Sequence, residues 1–287
     1  MIKATRILII SLLLTTLHFG AFAQRFYDRN EYGIMAGAAQ YFGDLNPEYG
    51  FKTVRPATGV FYRYYFNPYI STRVNLGYVQ LAGKDSDFNN PFQKIRNLSF
   101  KNNIIEASVL GEFNFFYFMT GDKYRRLTPY MVFGLGAIYS DPFVDYNGRK
   151  EYLRPLHTEG QNLSAFKDRK YNKINMIMPF GAGVKYWLRP GINFGLELVH
   201  RFAFTDYLDD VSQTYVGEQH FLLPNGMATK ASILQDRSTP VNGNKFGIAG
   251  RQRGDNATID QYLMIQFGVS FQLKSYHCPS DNPLWNQ

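Results

Sequence analysis

The charges of this chain that could act on one another stand at alternate positions inside apolar and aromatic segments. Arg63, Arg73, Lys185 and Arg201 are of one sign, and Glu106, Glu112 and Glu197 of the other. An extended backbone sends alternate side chains to opposite faces, so within its own segment each of these seven points away from the apolar face. Nearly balanced in sign, they suit mutual pairing. Residues for bond-making chemistry are scarcer. There is no G-x-S-x-G nucleophile elbow and no H-E-x-x-H zinc motif, and His157, His200 and His220 stand apart in sequence. The one dense acidic group is Asp206, Asp209 and Asp210, in TDYLDDVS. Grouped carboxylates could take a calcium ion, but the spacing matches no EF-hand loop, and a solvated loop mouth or a helix N-cap is expected instead. Cys278 is the single cysteine, so neither an intrachain disulfide nor a Cys-based metal site is possible, and an unpaired thiol is expected. No catalytic residue, metal or cofactor is expected.

The element that positions these charges most clearly is the stretch from Asn175 to Phe204. Met176, Met178, Phe180, Ala182, Val184 and Tyr186 alternate with Gly181, Gly183 and Lys185. After Arg189-Pro190-Gly191, a turn in which Pro presets φ and Gly accepts a positive φ, a second run follows. It sets Phe194, Leu196, Leu198, Phe202 and Phe204 against Asn193, Glu197 and Arg201, with His200 the exception on the apolar side. One face of this hairpin is ring-rich and the other is charged or glycine, which suits a wall between lipid and a polar interior.

Six further strands are expected at 31–44, 57–66, 70–82, 99–117, 127–139 and 258–273. The first is so rich in Gly and Ala that its faces stay unassigned. The fourth sets Ile105, Ala107, Val109, Phe113, Phe115 and Tyr117 against Glu106, Ser108, Glu112 and Asn114. Connections after the second, fourth and sixth strands are short, and those after the first, third, fifth and seventh are longer. The stretches 141–173 and 205–257 are the longest and carry no clean period. The fold class that follows is all-β: an eight-stranded antiparallel up-and-down transmembrane β-barrel with short periplasmic turns and long extracellular loops.

The ends and the composition agree with that architecture. Lys3 and Arg6, the apolar run from Ile7 to Leu14, and Ala21-Phe22-Ala23 form a secretory signal with cleavage expected after Ala23. The domains are then 1–23 as signal, 24–273 as barrel and 274–287 as a periplasmic tail. No later apolar run is long enough for a spanning helix. Aromatic residues make up 17%, as the ring girdles of a membrane barrel require, and a mean hydropathy of −0.29 fits strands whose every second residue faces a polar interior. The net charge of +8 is dispersed among acids, so no nucleic-acid partner is expected and anionic lipid is the better match. Eight strands enclose space that side chains can fill. The interior is therefore expected to be a packed ionic network rather than a pore, since isolated charges there would lose several kcal/mol of solvation.

Several segments resemble a known family. GVFYRYYFNP at 59–68, RNLSF at 96–100, EFNFF at 112–116, TPYMVFGLG at 128–136, LRPLHTEGQ at 153–161, PFGAGVKY at 179–186 and TDYLDDVS at 205–212 are similar to the PorG-type outer-membrane barrels of the type IX secretion system. The resemblance implies a small noncatalytic subunit in outer-membrane lipid, associated with a periplasmic ring of PorK and PorN type. A departure is the tail SYHCPSDNPLWNQ, which removes the terminal aromatic many barrels present; Trp285 there is a possible partner contact. The alternative is a stand-alone small barrel of OmpA-like class, serving membrane integrity or binding an external ligand. A soluble lipocalin-like barrel would put the rings inside and leave the charged faces too sparse as an exterior.

Overall fold

The structure, a computed structural model, describes residues 29–48, 51–118, 120, 124–189, 191–240 and 245–272. The expected signal, Pro190, Leu273, Cys278 and Trp285 lie outside the described residues. Among the described residues there are ten strands: β1 (Asn30–Phe42), β2 (Arg55–Tyr65), β3 (Ile70–Lys84), β4 (Ser99–Asn114), β5 (Leu127–Tyr139), β6 (Phe143–Tyr146), β7 (Arg149–Tyr152), β8 (Ile174–Arg189), β9 (Ile192–Ala203) and β10 (Gln261–Phe271). Eight of them pair antiparallel around a closed circuit, β1-β2-β3-β4-β5-β8-β9-β10, and β10 returns to β1 through rungs such as Tyr32↔Phe271. This is the eight-stranded barrel expected from the alternation.

The two extra strands come from the stretch without a clean period. The β4–β5 rung Ile105↔Tyr139 and the bridge Lys101↔Phe143 keep one register, so β6 prolongs the line of β5 past the break at 140–142. Asn147 (φ 50°) and Gly148 (φ 74°) reverse the chain into β7, a positive-φ pair whose twist suits a two-residue hairpin.

Alternation sets the faces. Outward stand Tyr32, Ile34, Val60, Val74, Leu76, Ile105, Val109, Phe133, Leu135, Phe180, Leu198, Ile265 and Phe267, all exposed. Among the described residues, no helix is long and apolar enough to cross a membrane; the strands are the apolar-faced elements. Rings that turn inward need space over the neighbouring strand, and glycines directly opposite them provide it. A Cβ on Gly33 would come within 2.3 Å of the Phe61 ring, and one on Gly183 within 2.7 Å of the Tyr130 ring. The β1 faces, unreadable from sequence, are settled: Glu31 and Met35 point in, Tyr32 and Ile34 out.

Both ends of the barrel are filled. At the short-turn end the Asn67 side chain accepts from the Tyr69 and Ile70 N–H groups at 2.8 Å, fixing the β2–β3 turn, and Gly191 takes φ 79° between β8 and β9. β4 stops at Asn114, three residues before the expected Tyr117. The chain beyond it tucks Phe118 into the structure and brings the Thr120 Oγ1 to 3.3 Å from the inward-facing Asn193.

At the other end the four longer connections fold into a cap. Leu45, Leu98, Leu153, Leu208, Val211 and Leu234 from those connections form one buried cluster with Leu81, Ile104, Ile138 and Ile177 from the strands. Two short helices belong to the cap. Pro91–Arg96 begins where the Asn90 side chain accepts from Phe92 N–H at 2.9 Å, and Lys230–Gln235 where the Thr229 hydroxyl accepts from Ser232 N–H at 3.2 Å. This corrects two expectations. Residues 141–173 and 205–257 are not only long loops but carry β6, β7 and a short helix, and the half of the interior beneath them is apolar rather than ionic. Inward Leu, Ile and Val reach that depth because the cap excludes water there.

Candidate functional site

Glu112 is the hub of the charged interior. Its carboxylate lies 2.8 Å from Arg63 Nε, 3.2 Å from Arg73 Nε and 2.5 Å from Lys185 Nζ, and accepts from the Ser71 hydroxyl at 3.0 Å. Arg73 also spans Glu197 with two parallel bonds of 2.8 and 3.1 Å, the forked geometry that makes guanidinium–carboxylate pairs strong. Tyr130 donates to Glu197 at 2.7 Å, and the Lys185 ammonium rides 4.5 Å over the Tyr130 ring. Further up, Arg201 Nε meets Glu106 at 2.8 Å, and Tyr262 donates to the same carboxylate at 2.8 Å. All seven residues singled out from the sequence are buried on this inner side.

An eighth was missed. Glu31 is fully buried, pairs with Arg63, and accepts from Tyr65 at 2.8 Å and Asn193 at 3.1 Å. With it the network is neutral: Arg63, Arg73, Lys185 and Arg201 against Glu31, Glu106, Glu112 and Glu197. The register Glu31↔Arg63 was the available signal, hidden because the Gly- and Ala-rich β1 could not be given faces. The space left beside this network is about 20 Å³, lined by Arg63, Arg73, Lys185 and Glu197 among others. That is room for a water or two.

The acids of TDYLDDVS lie in the cap, and the expectation of a solvated loop mouth fails for two of them: Asp209 and Asp210 are buried. Asp210 accepts from Thr158 at 2.5 Å and Tyr171 at 2.6 Å. Burial pushes it up to about 6 even with the Arg253 guanidinium nearby. Arg253 reaches Glu159 at 3.0 Å and the Asp210 carbonyl at 2.5 Å, and Glu159 accepts from Ser212 N–H at 3.0 Å. The loops 153–161 and 205–212 are thereby locked together. Tyr41 places one hydroxyl 2.7 Å from Asp209 and 2.6 Å from Asp260. A phenol has a single proton to give, so one of these acids must carry another for both contacts to be hydrogen bonds. Burial, with Asp209 and Asp206 adding like charge, raises Asp44 and Asp260 well above the usual carboxylate range, and burial raises Asp209 and takes Asp206 to about 8.

The remaining candidates do not converge. His200 lies on the outer wall, stacked near Phe42 and 2.6 Å from the Gln261 side chain; His157 sits at a positive φ after β7; His220 is exposed on the cap. Among the described residues, no group of three His, Cys, Asp or Glu has the geometry to hold a metal ion.

The family model described as "Domain of unknown function (DUF6089)" matches residues 6–225. The chain belongs to the DUF6089 family. No curated protein matches it in sequence. Among solved structures this DUF6089 chain is similar to Neisserial surface protein A, with 12% identity and a TM-score of 0.41 over 87% of this chain and 100% of that one. It is also similar to a major outer membrane protein from Thermus thermophilus (11%, 0.38, 84% and 98%) and to the N-terminal β-barrel domain of Pseudomonas aeruginosa OprF (10%, 0.36, 85% and 98%).

Proposed function

We propose that this DUF6089 barrel is a noncatalytic outer-membrane subunit that anchors or connects a type IX protein secretion machine to the membrane. The observation that carries this is a closed wall, apolar outside, around an interior filled by a neutral ion network and covered at both ends. The described interior is packed with paired charges and apolar side chains, which supports a role carried by the outer surfaces. The secretion assignment draws on the loop segments 153–161 and 205–212, where barrel geometry does not dictate sequence; in the structure they form one interlocked unit through Thr158, Glu159, Asp210 and Ser212. The partners are membrane lipid and periplasmic ring proteins of PorK and PorN type, reached from the short-turn end.

Cross-linking in cells followed by detergent extraction and affinity purification tests this. Ring proteins should be retrieved, and removal of 274–287 or changes in the short turns should reduce their recovery more than changes in the cap. A stand-alone barrel of OmpA-like class is the second reading, favoured by the ordered cap at the long-connection end. It wins if deleting the gene leaves type IX secretion unchanged.

A further inference from the structure

Above the apolar wall, one sector of the outer face turns basic. On the outward side of β3, β4 and β5, the rung Tyr78↔Ile105↔Tyr139 consists of exposed rings and an exposed isoleucine. Two rungs of the same orientation higher, Ala82↔Lys101↔Phe143↔Tyr152 follows, and Lys84 pairs with Ser99 beyond that. Directly opposed residues share a face, so Lys84 and Lys101 stand outward on neighbouring strands. At ~3.4 Å per residue and a tilt of about 40°, four residues place Lys101 roughly 10 Å above the ring level, from where a long lysine side chain reaches down to the lipid headgroups.

The β6–β7 hairpin carries this sector upward. The Lys150 ammonium lies 3.7 Å over the Phe143 ring and 4.8 Å over Tyr152, beside Lys101. Asp145 pairs with Lys101 at 2.6 Å and stands opposite Lys150 in register. Glu151 is engaged by Lys230, and Asp87 projects from the turn after β3. Lys84, Lys101 and Lys150 thus stand on this face with Asp145 in register and Asp87 three residues beyond Lys84, an excess of positive charge. Lysines are depleted in protein–protein interfaces, whereas a compact ammonium suits phosphate.

We propose that this outward face of β3, β4 and the β6–β7 hairpin binds the phosphate groups of anionic lipid in the leaflet at the long-connection end, with Lys84, Lys101 and Lys150 as its cations. This rests on the membrane location proposed above. The full chain, folded in neutral detergent micelles, is titrated with phosphatidylglycerol or phosphatidylcholine while its thermal unfolding midpoint is followed. Phosphatidylglycerol should raise the midpoint saturably and phosphatidylcholine should not. Changing Lys84, Lys101 and Lys150 to Gln should weaken the apparent affinity by about fivefold per lysine, while Arg125→Gln with Arg189→Gln at the opposite end leaves it unchanged. Each variant's midpoint in phosphatidylcholine reports whether it still folds, and the single Lys101→Gln serves if the triple change does not. Equal responses to the two lipids, equal weakening by the opposite-end pair, or the same gain from inorganic phosphate alone would overturn the proposal. A chain that stays folded and monodisperse without detergent would instead overturn the membrane location beneath it.

Discussion

Replacing Glu112 by Leu is the sharpest perturbation of the interior. That carboxylate holds three cations, Arg63, Arg73 and Lys185, at 2.8, 3.2 and 2.5 Å. Without it four cations face three carboxylates in a space that admits almost no water. Breaking a buried pair by removing one partner costs about 3–5 kcal/mol. At about 2–4 °C per kcal/mol for a domain of this size, the unfolding midpoint in detergent should fall by roughly 6–20 °C. Adding Lys185→Met restores the balance of charge and should recover at least half of that loss. The same samples in planar bilayers should carry no current, because the apolar half of the interior and the cap remain. The assays are thermal circular dichroism, heat-dependent gel mobility and single-channel recording. A midpoint within about 2 °C of the parent would show that the network does not hold the barrel together, and conductance by the unaltered protein would show that the lumen is open.

Other perturbations separate wall, cap and interior. Gly183→Val should displace the Tyr130 ring from the wall and cost about 1–3 kcal/mol by overpacking, read as a lower midpoint. Arg253→Met leaves Glu159 and Asp210 without their guanidinium, so trypsin should cut within 205–257 much faster while the barrel core stays resistant. The cap also responds to pH. Asp206 at about 8 and Asp210 at about 6 hold protons in the folded state that the unfolded chain releases near 4, and Asp44, Asp209 and Asp260 are shifted the same way. Their contribution is complete below about pH 4 and is lost as pH rises through roughly 6 to 9, so the protection of amides in 205–212 against hydrogen exchange, relative to the intrinsic base-catalysed rate at each pH, should be lower at pH 9 than at pH 5. Equal protection at the two values would contradict the burial of these acids.

The wall was legible because strand alternation is a local signal: Phe180 and Lys185 declare their faces without help from any other element. The same logic yields seven of the eight interior charges. It fails at Glu31, where the neighbouring Gly33, Ala36, Gly37, Ala38 and Ala39 fit either side, and only pairing with Arg63 decides. It fails more widely in the cap. Leu208, Val211, Tyr215 and Leu234 are buried by contacts between connections far apart in sequence, and such contacts leave no period to detect. Asp209 and Asp210 read as solvated for the same reason: their partners Tyr41, Thr158 and Tyr171 lie on other segments.

The membrane barrel stands or falls on which face meets lipid. The direct measurement is photolabelling in reconstituted vesicles with a carbene reagent confined to the bilayer interior, followed by peptide mapping. Label should appear on Phe180, Leu198, Phe133 and Phe267 and spare Arg63, Glu112 and Glu197. Label on the Arg63 and Glu197 side, with the Phe180 side untouched, would contradict the membrane barrel itself.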